Sequence, residues 1–363
     1  MTVHSAAMDS RQNQNTGTRN VREAHRFDEQ RLVDYLLSHV ESFSGPLTVS
    51  EFKGGQSNPT YLLEAPSGRY VLRRKPPGKL LKSAHAVERE FRVISALYAT
   101  GFPVPRPLVL CEDDEVIGTT FFVMEFVEGR IFWELDLPGL EPDERAAIYD
   151  NVNATIARLH TTDHRAIGLD DYGVPGNYFE RQVSRWSKQY RASETDTVAS
   201  MDRLIDWLPA NIPGDDSVSI VHGDFRLDNM ILHPTEPRVI AVLDWELSTI
   251  GHPLADFTYH LMAWQMPDIG IGSTGLVGKS LVNLGIPDEG AYIEQYCART
   301  GRDDGIPGRD FYSAFNFFRL AAILQGIAGR VRDGTAASAH AAQAVKAVQP
   351  LSDMGWRYAS KHG

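Results

Sequence analysis

Residues 221–232 read VHGDFRLDNMIL. His222, Asp224, Arg226, Asp228 and Asn229 crowd together there, with Val221 on one side and Met230, Ile231 and Leu232 on the other. Apolar flanks pin a segment in a core, so the polar middle faces something other than bulk water. Outward from it, VSIV leads in, and HPTEP then RVIAVLDWE lead out, which is the punctuation of short strands around a loop.

Such a cluster suits phosphoryl transfer. That chemistry needs one group to orient an acceptor hydroxyl and others to hold divalent ions. Asp224 would accept the hydroxyl proton, while Asn229 and Asp244 would bind Mg²⁺, a hard ion that favours oxygen ligands. The spacing from Asp224 to Asn229 is the D-x-x-x-x-N of a kinase catalytic loop, and Asp244 ends the apolar run RVIAVLD. Arg226 could turn a fixed positive charge toward the transferring phosphate. His222 is expected to pack and hydrogen-bond the loop rather than move protons. The plain alternative is that Asp224 and Asp244 are only structural.

The rest of the chain divides in two. Residues 1–25 are polar and aperiodic, so a loose tail is expected. Leu32, Tyr35, Leu36 and Val40 then form one helical stripe. LTVSEFKGG, NPTYLLEA and RYVLRR read as strands, AHAVEREFRVISALYATG as a helix, and PLVLCED and TTFFVMEFVEG as two further strands. This predicts an N-terminal lobe over 26–127, an antiparallel sheet with one helix. A mainly helical lobe over 128–363 follows, with helices near 142–161, 177–191, 197–208, 288–300, 308–329 and 336–361.

Composition narrows the class. Hydrophobic residues are 42% and charged residues 23% of 363, ordinary globular values. A formal charge of −11 disfavours nucleic acid as a partner. No apolar run is long enough for a bilayer and no hydrophobic signal core is visible, so a cytoplasmic protein without a membrane partner is expected. Cys111 and Cys297 have no partners at metal-ligand spacing and read as small buried hydrophobes. IGSTGLVGKS looks like a phosphate loop, but position 273 is Ser where G-x-x-x-x-G-K-S needs Gly.

H-G-D-x-x-x-x-N, an apolar strand and D-W-E together resemble the aminoglycoside phosphotransferase family of kinase-like enzymes. The resemblance spans residues 46–330. It implies an α+β, two-lobed protein-kinase-like fold with ATP as donor and a small-molecule hydroxyl as acceptor. It places GGQSNPTYLL over the ATP phosphates, so Gly54, Gly55, Ser57 and Asn58 become phosphate contacts, although the full G-x-G-x-x-G is missing and a plain hairpin turn is equally compatible. Arg73 stands where kinases carry a strand lysine, paired with Glu90, or with Glu88 if the register differs. An Arg there is a departure, because a planar guanidinium reaches phosphate differently from an ammonium. FFVMEFVEG matches the strand entering the hinge, where backbone groups of Glu125 and Val127 would meet the adenine edge and Met124 would line its pocket. Asp256 matches an acid that usually braces the catalytic loop from a helix, and His252 stands where the family often has Asp.

The basic stretch RRKPPGKLLKSAH, with Arg73, Arg74, Lys75, Lys79, Lys82 and His85, resembles the kinase domains fused to acyl-CoA dehydrogenases, a branch that acts on hydroxyacyl-CoA. Hydroxyacyl-CoA-like and aminoglycoside-like acceptors compete, the cationic aminoglycosides less favoured because they call for acidic surroundings. Arg181, Arg185 and Lys188 recur on one helix face, either to hold an anion or as a solvated face. A catalytically idle, kinase-like nucleotide-binding protein is the rival from another class. The oligomeric state is open.

Overall fold

The computed structural model describes residues 16–53, 58–76, 85–267, 275–332 and 339–362. Gly54, Gly55, Ser57, Lys79, Lys82 and the first part of the IGSTGLVGKS stretch lie outside them. The chain divides into two compact units. The first comprises Met1–Trp133, Ile167–Leu169 and Asn229–Leu247; the second holds Glu134–Ala166, Asp170–Asp228 and Ser248–Gly363. A single cut after residue 127 would therefore miss residues 229–247, which group with the first unit.

The first unit is built on a six-stranded antiparallel sheet in the order β1-β2-β3-β4-β6-β5. Its strands are β1 (Thr18–Arg19), β2 (Thr48–Phe52), β3 (Thr60–Ala65), β4 (Gly68–Arg74), β5 (Pro107–Cys111) and β6 (Phe121–Glu125). Side chains alternate across a strand, so each strand feeds two faces. On one face Tyr61, Leu63, Tyr70, Leu72, Phe121 and Val123 form a core with Leu32 and Leu36 of helix α1 (Glu29–His39). Asp28 caps α1 by accepting from the Arg31 amide. On the other face, the register pairs Val71 with Met124 and Arg73 with Phe122. Helix α2 (Val87–Tyr98) packs against β5 and β6, burying Val87, Glu90, Ile94 and Leu97 at helical spacing. A four-residue helix, α3 (Asp114–Ile117), lies between β5 and β6.

The expected looseness of residues 1–25 does not extend through residues 18–25. β1 pairs with β2, and Arg19, Arg22 and His25 gather on the buried carboxylate of Glu51. A buried acid needs partners, and this segment supplies them.

A hairpin completes this unit. β8 (Met230–Leu232) pairs antiparallel with β9 (Val239–Val242), Met230 facing Val242. Gly129 lies so close beneath it that a Cβ there would stand 2.2 Å from the Leu232 carbonyl oxygen. Only glycine lets the chain pass.

The second unit is mainly helical: α4 (Pro142–Thr161), α5 (Tyr178–Ser193), α6 (Ala199–Ala210), α7 (Pro253–Gln265), α8 (Leu281–Leu284), α9 (Glu289–Thr300), α10 (Arg309–Arg332) and α11 (Ala339–Ala359). A two-stranded ladder, β7 (Ser219–Val221) with β10 (Thr249–Gly251), carries the chain into and out of the loop. α10 packs against α5, α7 and α11, and α9 against α4. Helix α7 is absent from the helices read by periodicity, and only the family resemblance sets Asp256 on a helix. Nearly all its residues are buried, so it has no polar face to reveal a period. The expected fold class holds: an antiparallel-sheet N-terminal region and a mainly helical remainder.

Candidate active site

The loop begins where β7 ends. His222 is fully buried, and its amide donates to Asp256 Oδ2 at 2.7 Å; the Gly223 amide donates to Asp256 Oδ1 at 2.9 Å. Asp256 therefore braces both peptide groups from α7. Burial pushes its carboxyl up, but a hydrogen bond from His160 at 3.3 Å, with the His222 amide, holds it below the ordinary value. From α10, Arg319 donates to the Gly223 carbonyl at 2.7 Å. Gly223 itself adopts φ 84°, left-handed backbone that glycine tolerates.

Asp224 accepts from the hydroxyl of Tyr259 at 2.7 Å, and its own amide donates to His222 Nδ1 at 3.2 Å. His222 thus braces the loop through a ring nitrogen that accepts. The Arg226 guanidinium closes on Asp228 with two hydrogen bonds, one of 3.0 Å from Nε, and stands 3.9 Å from Asp224. Its forked donor is turned to that carboxylate within the loop. His260, next along α7, has Nδ1 at 3.2 Å from the Phe225 carbonyl and Nε2 at 2.9 Å from the Tyr292 hydroxyl. A carbonyl only accepts, so Nδ1 carries the proton and Nε2 accepts. Burial pushes this imidazole down to about 4.

Asn229 and Asp244 belong to the first unit. They flank the open end of the β8–β9 hairpin, where the Leu243 amide donates to the Asn229 carbonyl at 2.8 Å. Asp244 takes φ 64°, a left-handed conformation uncommon outside glycine. The following Trp245 is buried, donates from its indole to the Val242 carbonyl at 2.9 Å and packs edge-on to Phe102. That anchor holds the turn and with it the Asp244 carboxylate.

Arg73 Nε lies 3.0 Å from Glu90 Oε2, and Nη2 donates to Asp244 Oδ1 at 2.5 Å, with Glu246 at 3.6 Å. Glu88 pairs instead with Lys75 at 2.9 Å. Burial pushes Glu90 up to about 7 against the pull of Arg73, with Asp244 and Glu246 adding like charge. The same carboxylates keep Arg73 charged despite its burial. Asn58 is fully buried: its amide donates to Glu90 at 2.9 Å and to Glu246 at 3.4 Å, and its oxygen lies 2.9 Å from His85 Nδ1. Asn58 therefore supports the Arg73–Glu90 pair. Met124 is buried on the sheet face that carries Val71 and Arg73; Val127 follows that strand, half-buried, and the Glu125 amide donates to the Arg106 carbonyl at 2.9 Å. His252 caps α7, its Nδ1 accepting from the Leu254 amide.

Tyr259, His260 and Arg319 escape sequence reasoning, and Glu246 enters it only as the last residue of D-W-E, with no role given. Tyr259 and His260 lie three and four residues after Asp256, on one helical face, and that spacing could have revealed them once a helix was assigned. Nothing in the sequence marks Arg319.

Among the described residues no three His, Cys, Asp or Glu cluster as a metal cage. An amide and a carboxylate at a hairpin mouth suit an ion that keeps waters and phosphate oxygens, as Mg²⁺ does. The guanidinium seated on Asp244 marks that carboxylate as a place for positive charge. Among the described residues no helix is long and apolar enough to cross a membrane.

The chain resembles known proteins over most of its length. It is 45% identical over 347 residues to acyl-CoA dehydrogenase family member 10 of Mus musculus, and 46% identical over 340 residues to acyl-CoA dehydrogenase family member 11 of Rattus norvegicus. These alignments cover 95% and 91% of this chain but 32% and 43% of the relatives, so the chain spans less than half of their length. A solved Ralstonia eutropha protein, provisionally described as an aminoglycoside phosphotransferase, is 54% identical with a TM-score of 0.85, covering 93% of this chain and 99% of its own. An aminoglycoside phosphotransferase in ternary complex with ADP and hygromycin B shares the fold at 18% identity and a TM-score of 0.59, covering 92% of this chain and 99% of its own. Residues 48–312 match the phosphotransferase enzyme family, and the chain belongs to it.

Proposed function

We propose that this phosphotransferase moves the γ-phosphoryl group of ATP, with Mg²⁺, to a hydroxyl of a small molecule of the hydroxyacyl-CoA class. The observation that carries the reading is Asp224, held by Tyr259 on a loop whose amides Asp256 clasps. A carboxylate fixed in this way serves as the acceptor of a hydroxyl proton. Asn229 and Asp244 would hold Mg²⁺, which screens the phosphate charges. Arg73, steadied by Glu90 and Asn58, would meet the nucleotide phosphates, with Gly54, Gly55 and Ser57 nearby in sequence. Met124, Glu125 and Val127 would form the adenine side. His222 and Arg226 keep the loop in shape.

The acceptor class rests on the acyl-CoA dehydrogenase relatives and on charge. In the second unit the exposed Arg185 guanidinium lies 5.3 Å from the ring of the buried Trp186, while Arg319, at 5.9 Å, is itself buried. An exposed guanidinium suits an anionic acceptor better than a polycationic aminoglycoside. The test is ATP turnover with panels of hydroxyacyl-CoA thioesters and aminoglycosides, for wild type and Asp224→Ala. Thioester-dependent turnover should fall by at least about a hundredfold in the variant. Turnover that survives the substitution would overturn the role of Asp224.

One observation favours an idle nucleotide-binding protein instead: Arg73 sits on Asp244, the carboxylate assigned to Mg²⁺. Thermal unfolding with millimolar ATP separates the two readings. A Mg²⁺-dependent rise together with turnover supports the kinase; a rise without turnover for any acceptor supports the idle protein.

A further inference from the structure

Helix α7 touches four consecutive residues of the loop. Asp256 takes the amides of His222 and Gly223, the Tyr259 hydroxyl donates to Asp224, and His260 meets the Phe225 carbonyl. Residues at i, i+3 and i+4 share one helix face, so a single rigid surface reads the loop residue by residue. Asp256 and His260 engage the backbone. Tyr259 alone of the three engages the side chain of the proposed base, at 2.7 Å.

The phenol is itself fixed. The Arg319 guanidinium lies 5.2 Å from its ring centroid, and the same arginine donates to the Gly223 carbonyl at 2.7 Å. Ring and loop are therefore tied to one side chain on α10. Burial, with the nearby Asp224 charge, pushes the Tyr259 hydroxyl above its ordinary value, so it stays a neutral donor throughout the working range.

We propose that Tyr259 is a positioning residue for Asp224: its hydroxyl orients the carboxylate that accepts the hydroxyl proton. This rests on Asp224 being the base. The charged and titratable groups around Asp224 include Tyr259 from α7, Arg226 at 3.9 Å and His222 within the loop, and Arg319 from α10 through Gly223. Asp228 pairs with Arg226 and Asp256 with the loop amides, so each stands one hydrogen bond further away.

The test uses the full chain labelled with ¹³C at aspartate carboxyls, the Asp224 signal being identified by its loss in Asp224→Asn. At one fixed pH the Asp224 carboxylate signal should move in Tyr259→Phe, because the hydrogen bond it accepts is gone. With ATP and a hydroxyacyl-CoA, kcat should fall roughly tenfold while KM for ATP holds. An Asp224 signal left in place by the substitution overturns the proposal, whatever the activity. A moved signal with no turnover in either protein keeps the positioning role and removes the kinase reading. Tyr259→Met replaces the Phe variant, with the same expected change of signal, if thermal unfolding shows that the latter does not fold.

Discussion

Arg73 reaches Glu90 from strand to helix at 3.0 Å, and their side chains are only 11% and 2% exposed. A buried ion pair adds little over an apolar pair, but removing one partner leaves an uncompensated charge. Arg73→Met should therefore cost about 3–5 kcal/mol in urea unfolding. Adding Glu90→Gln should restore a large part of that loss. Equal losses in the single and double variants would show that Glu90 does not depend on Arg73.

Asp256 uses both carboxylate oxygens on loop amides, at 2.7 and 2.9 Å. Asp256→Asn keeps one acceptor and sets an NH₂ group against a buried N–H. The expected cost is about 2–3 kcal/mol. Hydrogen exchange at the Gly223 amide should speed up in the variant, together with lower ATP turnover. Unchanged protection at Gly223 would count against the brace.

His260 is buried and neutral, pushed down to about 4 by burial. An unfolded imidazole titrates near 6.5, so between those values the unfolded chain binds more protons. Stability is thus present above about 6.5 and lost as pH falls toward 4. His252, also held near 4, has the same sign. Wild type should lose thermal midpoint between pH 7 and 5, and His260→Gln should lose less over that interval. Parallel curves for the two proteins would remove His260 from the account.

Glu51 is buried, and burial pushes its carboxyl up, yet hydrogen bonds from Arg22 and Arg19 win and hold it at about 2. A depressed carboxyl stabilises above its unfolded value near 4.5, and that stability is lost as pH falls toward 2. The arginines are half-exposed, which screens the pair, so about 1–2 kcal/mol is expected for Glu51→Gln. The variant should also release residues 18–25 from β2. Limited proteolysis that cuts this segment no faster than in wild type would contradict the tether.

Helix α4 shows how much was legible. Pro142 at its start and a buried stripe through Ile148, Val152, Ile156 and Leu159 announce a helix over 142–161, the span observed. Strand β4 shows the same for the site: alternation along GRYVLRR sends Tyr70 and Leu72 to one face and Val71 and Arg73 to the other. α7 shows the limit. A helix buried on every side carries no polar period, so the element that clasps the loop left no mark in the pattern.

Local rules alone set the loop's chemistry. His222, Asp224, Arg226 and Asn229 stand in one short stretch, and Asp244 closes the next strand, because those spacings are written along the chain. Which atoms meet those groups is a different matter. Tyr259 is 35 residues from Asp224, and Arg319 is 96 from Gly223. Such separations are closed by the packing of whole helices, whose depth and rotation depend on every buried contact at once. That packing decided that Arg73 reaches Asp244 and that a phenol meets the acid at the head of the loop, whereas the Arg226–Asp228 pair, two residues apart, is local.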